Sequence, residues 1–180
     1  MTHSSAHRVS PYARGFTMIE MAITIAIFGF LLAAALPSIG TWLDNTRIRN
    51  VTESIQSGIQ LARAEAVRRN QPVSFFLVSL DNPNNMDNSC DLSNTGGSWV
   101  ISVTAPNGHC GSAPSTTTAP MIVTSRTVGD AGSAVTVNAF RSDGTTAATT
   151  ITFNGFGRIT NADAIGVINV TGSTSSTEYR

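Results

Sequence analysis

A single carboxylate, Glu20, stands inside an apolar run that extends from Phe16 to Leu36. A charge in such a setting is costly: an Asp at the centre of a membrane helix costs about 2.5–3.5 kcal/mol on insertion scales. Glu20 lies one turn from the end of the run, so its own cost is smaller, and a cationic partner is the natural way to recover it. Two cysteines, Cys90 and Cys110, are the whole thiol inventory. An even count in a chain with an export-type N-terminus points to a disulfide formed in an oxidising compartment. Closing a loop of that size stabilises a fold by about 3 kcal/mol on the chain-entropy estimate. A metal reading would recruit His109 beside Cys110, but zinc needs three or more protein ligands, and no second His or Cys cluster exists. Arg126, Arg141 and Arg158 are candidates for contacts to nucleic-acid phosphates, which would make binding salt-dependent. No catalytic constellation is present. The chain has no Gly-x-Ser-x-Gly elbow, no His-Glu-x-x-His, and no Lys to complete a phosphate loop. Gly155-Phe156-Gly157 lacks the third Gly and the following helix of a dinucleotide fingerprint, and reads as a turn. We therefore expect no enzyme, no cofactor and no metal.

Composition narrows the class. With 180 residues there is room for one ordinary domain and an appendage. Hydrophobic residues make up 41%, enough to fold, but only 12% are charged, against about a quarter in typical domains. Ser, Thr, Asn and Gly fill the deficit after Asn70, which suits extracytoplasmic β-structure better than a cytosolic enzyme. All eleven basic residues are Arg, balanced by eleven acids. Bulk charge therefore announces no nucleic-acid partner.

The elements that must position these groups begin with a short basic leader, MTHSSAHRVSPYARG. The apolar run that follows covers twenty-one residues, a helix of about 31 Å, which matches the hydrocarbon core of a bilayer. Arg14 brackets it on one side, Arg47 and Arg49 on the other, and the basic leader stays cytoplasmic by the positive-inside tendency. An ordinary secretory signal cut near Ala33-Ala34-Ala35, releasing a soluble β-domain, is the rival reading. Against it stand the length of the run, the acid within it, and helical periodicity that continues past the cut. Ile48, Val51, Ile55, Ile59, Ala62 and Ala66 form one apolar stripe, with Arg49, Glu53, Gln56, Gln60, Arg63 and Arg68 opposite. Asn70 and Pro72 supply the stop. One helix is thus predicted from about Phe16 to Arg69. Pro37 removes a backbone donor and crowds the carbonyl of Ala33, so a kink is predicted there.

After Pro72 the period becomes that of strands. The runs 73–80, 98–104, 121–128, 134–140, 150–156 and 164–170 are β-branched or aromatic and separated by turn clusters such as NTGG, GDAG and RSDG. An α+β domain follows, an antiparallel sheet packed on the apolar stripe of the helix. Both cysteines fall in long polar loops, where a bond between them would pin both ends of the strand containing Trp99.

Taken together, RGFTMIEMAITIAIFGFLLAAALP resembles the class III signal of type IV pilins and pseudopilins. The resemblance implies cleavage by the prepilin peptidase between Gly15 and Phe16 and methylation of the new Phe16 amine. Glu20 becomes the fifth mature residue and Pro37 the twenty-second, both where the family has them. It also implies that Glu20 of an incoming subunit meets the Phe16 amine of a subunit already in the filament. Farther on, QLARAEAVRRNQPVSFF and TITFNGFGRIT resemble the GspH/FimT family of minor pseudopilins and minor pilins. The implied organisation is a leader (1–15), a transmembrane and assembly helix (16–36), the amphipathic half of that helix (37–70) and a periplasmic β-rich domain (71–180). The implied role is a structural subunit, anchored in the bacterial inner membrane, that primes or caps a type II secretion pseudopilus or a type IV pilus. Its partners would be the prepilin peptidase and other pilins. Some FimT-type members bind DNA through Gly-Arg-x-Arg; here Gly157-Arg158-Ile159-Thr160 keeps the first Arg and has Thr at the second. The family commonly continues with another strand where this chain reads Glu178-Tyr179-Arg180.

Overall fold

The computed structural model describes the backbone of residues 15–172 and 178–179, and side chains in that range except 34–39, 41, 130, 133 and 178–179. Two compact units are present, Met1–Ile39 and Gly40–Arg180. Helix α1 (Met18–Arg69) opens in the first and closes in the second. In the first unit its described side chains are all exposed and, apart from Glu20 and Thr24, apolar on every face, with Met18 at 94% and Phe30 at 77%. Among the described residues no helical stretch is both long and apolar enough to cross a membrane; the expected span 16–36 runs into side chains outside those described. Pro37 falls there too, so its expected kink is outside the described residues, although helical backbone carries through it. Of the leader, residues 1–14 also lie outside them.

In the second unit the helix buries one stripe. Asp44, Ile48, Val51, Ile55, Gly58, Ala62, Glu65 and Ala66 are buried at spacings of three and four, as a single core-facing face requires. Ile59, expected on that stripe, is half-buried at its margin. The buried position goes instead to Gly58, because only a residue without a side chain fits. A methyl there would lie 2.9 Å from both Phe75 Cε2 and Trp99 Cε2. Those rings stack obliquely, centroids 5.8 Å apart, and Trp99 Nε1 donates to Ser54 Oγ at 3.1 Å. The helix ends where the stop signal predicts. Asn70 takes φ 50°, its N–H donates to the Val67 carbonyl and that of Gln71 to the Ala66 carbonyl, the two bonds of a Schellman cap.

Among the described residues eight strands follow: β1 (Val73–Ser79), β2 (Asp91–Leu92), β3 (Ser98–Ser102), β4 (Ile122–Arg126), β5 (Val135–Phe140), β6 (Thr150–Phe153), β7 (Val167–Gly172) and β8 (Glu178–Tyr179). All pairings are antiparallel. β1 is central to the larger sheet. On one side it pairs with β3, which carries β4; on the other, β6 takes its first half and β2 its end. The second sheet runs β5-β7-β8.

β1 and β3 are buried along almost their whole length, because both faces of the sheet are covered. Val73, Phe75, Leu77, Trp99 and Ile101 face the helix core. Phe76, Val78 and Val100 face the other way, onto Cys90, Cys110 and Ile122. Cys90 and Cys110 are joined in a disulfide with Cα atoms 6.1 Å apart. As expected, it joins the loops before and after β3, and its sulfurs are buried in a second small core.

Candidate functional site

The start of α1 is organised by Thr17 and Glu20. The N–H of Thr17 donates to Glu20 Oε2 at 3.4 Å, and the N–H of Glu20 donates to Thr17 Oγ1 at 3.3 Å. That reciprocal pair is a capping box, which satisfies two backbone donors that the helix leaves open. Its Thr-x-x-Glu signature is legible in the sequence. The carboxylate accepts only the first of these bonds, through Oε2, so it keeps acceptor capacity to spare. It sits beside the backbone that begins at Phe16, where an amine would be created by a cut after Gly15. Gly15 and Phe16 precede the helix in non-helical, exposed backbone, so the peptide bond between them is accessible. Glu20 is the only charged side chain among the described residues from 15 to 33. Thr24, the next polar group, is satisfied locally, its hydroxyl donating to the carbonyls of Glu20 and Met21.

The three candidate arginines are not brought together. Arg126 ends β4, Arg141 follows β5 in the other sheet, and Arg158 follows β6. β6 and β4 are separated by β1 and β3, about 14 Å at the usual strand spacing. Arg126 instead lines a 430 Å³ groove with Arg47 and Asn50 of the helix. Arg158 lies in the tight turn beyond β6, whose Gly157 abuts Arg63 and Val67 of the helix. Among the described residues, no group of His, Cys, Asp and Glu is placed to hold a metal ion.

One buried charge cluster escaped the sequence reading. Glu65, placed on the core side of α1, receives hydrogen bonds from Arg68 at 2.6 and 2.8 Å and from Arg69. The Arg68 hydrogen bond, helped by Arg69 and opposed by burial, holds the Glu65 carboxyl down at about 2. The cluster ties the last turns of the helix together where cations also suit the helix dipole. Its i, i+3 and i, i+4 spacing was the available signal.

Two family models match the chain. The model for type II transport protein GspH covers residues 51–180, and that for the prokaryotic N-terminal methylation motif covers residues 11–36. No curated protein and no solved structure matches it.

Proposed function

The chain belongs to the GspH family and carries the N-terminal methylation motif of membrane-anchored, pilin-like proteins, and from that premise we propose that it is a minor filament subunit. In this reading it primes or caps assembly of a type II secretion pseudopilus or a type IV pilus, and performs no catalysis. One observation carries the proposal: the largely apolar opening of α1, whose described side chains up to Ala33 are all exposed, holds one carboxylate at its head. A surface of that kind needs an apolar environment outside the chain, first lipid and then the helices of neighbouring subunits.

The prepilin peptidase would cut between Gly15 and Phe16, leaving a methylated amine one residue before the capping box. The Glu20 carboxylate of an incoming subunit would then pair with the Phe16 amine of its neighbour and set axial register. In this organisation 1–15 is the leader, 16–36 the single-pass inner-membrane segment, 37–70 the amphipathic half of the helix and 71–180 the periplasmic domain. DNA capture at a pilus tip finds less support, since Arg126, Arg141 and Arg158 stand on separate elements and Thr160 replaces the second Arg of the motif.

Fractionation tests the anchor. The full chain is expected in the inner-membrane pellet after an alkaline wash, and to be released by detergent. Recovery in the soluble periplasmic fraction would contradict the proposal.

A further inference from the structure

Between Glu20 and Asp44 the chain has no charged residue, an uncharged stretch of 23 residues from Met21 to Leu43. As a helix it is about 34 Å long, the hydrocarbon core of a bilayer and a few ångströms more. Its last two members are Trp42 and Leu43. Trp42 is 65% exposed and Leu43 43%, although Asp44 and Ile48 on the same helix are buried. The backbone here is regular helix, and the Trp42 carbonyl also accepts from Thr46 Oγ1 at 2.9 Å. The only other tryptophan shows what the fold does with an indole that it uses. Trp99 is 4% exposed, lies against Phe75 and donates its ring N–H to Ser54. Trp42 does none of this for the core.

The residues that follow are charged, and they divide by face. Asp44 turns into the unit, where it accepts from Arg47 Nη1 at 3.3 Å. Arg47 and Arg49 are exposed. Arg47 stands one turn beyond Leu43, and Arg49 two turns beyond Trp42, each on the same helix face as its apolar predecessor. Arg126 of β4 lines the same groove as Arg47. Asp44 is the only acid from Met21 to Thr52. The end of the uncharged stretch therefore shows its surroundings two apolar side chains and then guanidinium groups, with its one carboxylate turned inward. A bilayer's layers come in that order. Tryptophan is favoured where hydrocarbon gives way to headgroups, because its ring is apolar and its N–H is not. Long helical side chains lean back toward the N-terminus, which brings the indole to the lipid side of its own turn. Guanidinium groups just beyond it match phosphate.

We propose that Trp42 and Leu43 lie in the headgroup layer of the bilayer that holds the apolar run, and fix the depth at which the subunit sits there; this rests on the membrane anchor proposed above. The helix of a neighbouring subunit could also cover a Trp-Leu pair. An apolar helix face, however, would leave the indole N–H and the adjoining guanidinium groups without acceptors, whereas phosphate and glycerol ester oxygens accept from both.

Quenching of tryptophan fluorescence by brominated lipid tests it, on the full chain in phosphatidylcholine vesicles. One preparation carries bromine near the headgroup end of the acyl chains, the other near their tips. Both leaflets are alike, so either orientation of the chain gives the same reading. Trp42→Phe, at an exposed position, reports the emission of buried Trp99 alone, and subtracting it leaves the share of Trp42. Shallow bromine is expected to quench that share roughly twofold more than deep bromine, as for an indole at the interface, and neither should quench Trp42→Phe. Equal quenching at the two depths, stronger quenching by deep bromine, or none in a chain that floats with the vesicles overturns the headgroup contact while leaving the anchor standing. Quenching that persists in Trp42→Phe overturns it as well. A chain that does not float with the vesicles would remove the anchor, and the contact with it.

Discussion

Glu20→Leu is expected to be processed at Gly15–Phe16 and to stay in the membrane, yet to fail to enter the filament. The apolar replacement makes the helix easier to hold in lipid, so the defect appears only when subunits pack. At that step, on the proposed pairing, the methylated amine of a neighbour would lose its partner in a water-poor interior. Removing one member of a buried ion pair costs about 3–5 kcal/mol, which is more than about a hundredfold in occupancy. The capping box supplies the control. Gln serves as well as Glu in closing such a box, so Glu20→Gln keeps the bond to the Thr17 N–H and discards the charge. Both variants are expected to be missing from sheared or detergent-extracted filaments at normal membrane levels. If Glu20→Gln assembles like the wild type, the carboxylate is only a cap and the pairing account fails.

Loss of the disulfide is the other large effect. Cys90 and Cys110 are twenty residues apart, and releasing that loop gives the unfolded chain about 3 kcal/mol of entropy. The two sulfurs are also buried with Phe76, Val78, Val100 and Ile122, so the double variant Cys90→Ala/Cys110→Ala thins a core that has little else in it. For a domain of this size a fall of about 10 °C in the unfolding midpoint is expected. Reductant should lower the wild-type midpoint similarly and leave the double variant unmoved. A fall of less than about 2 °C would show that the second core holds without the bond.

How far these features could be read beforehand depended on how local the physics was. The stripe from Ile48 to Ala66 was legible because a helix burying one face must repeat every three or four residues. The six long strands were legible as β-branched runs between turn clusters. β2 was not: two residues, one of them Asp91, carry no period, and only the partner edge of β1 makes them a strand. Strand ends were set by backbone detail. The run at 121–128 shortens to 122–126 because Met121 adopts φ 55°, and the run at 150–156 ends at Phe153 because the Asn154 side chain closes a turn. Gly58 passed unnoticed since its role exists only once Phe75 and Trp99 arrive from distant strands. At the N-terminus the methylation motif was readable, because a long apolar run with one acid is a purely local anomaly. The exposure of Phe156 was invisible for the opposite reason, since it is a property of the finished surface.

The account depends on a cut that turns a buried-charge liability into a pairing site, and the mass of the mature N-terminus measures that event directly. Protein taken from the membrane of its own host should begin at Phe16 and carry one extra methyl group on its terminal nitrogen. A chain that begins near Leu36, or that keeps its leader while the filament assembles, would contradict it.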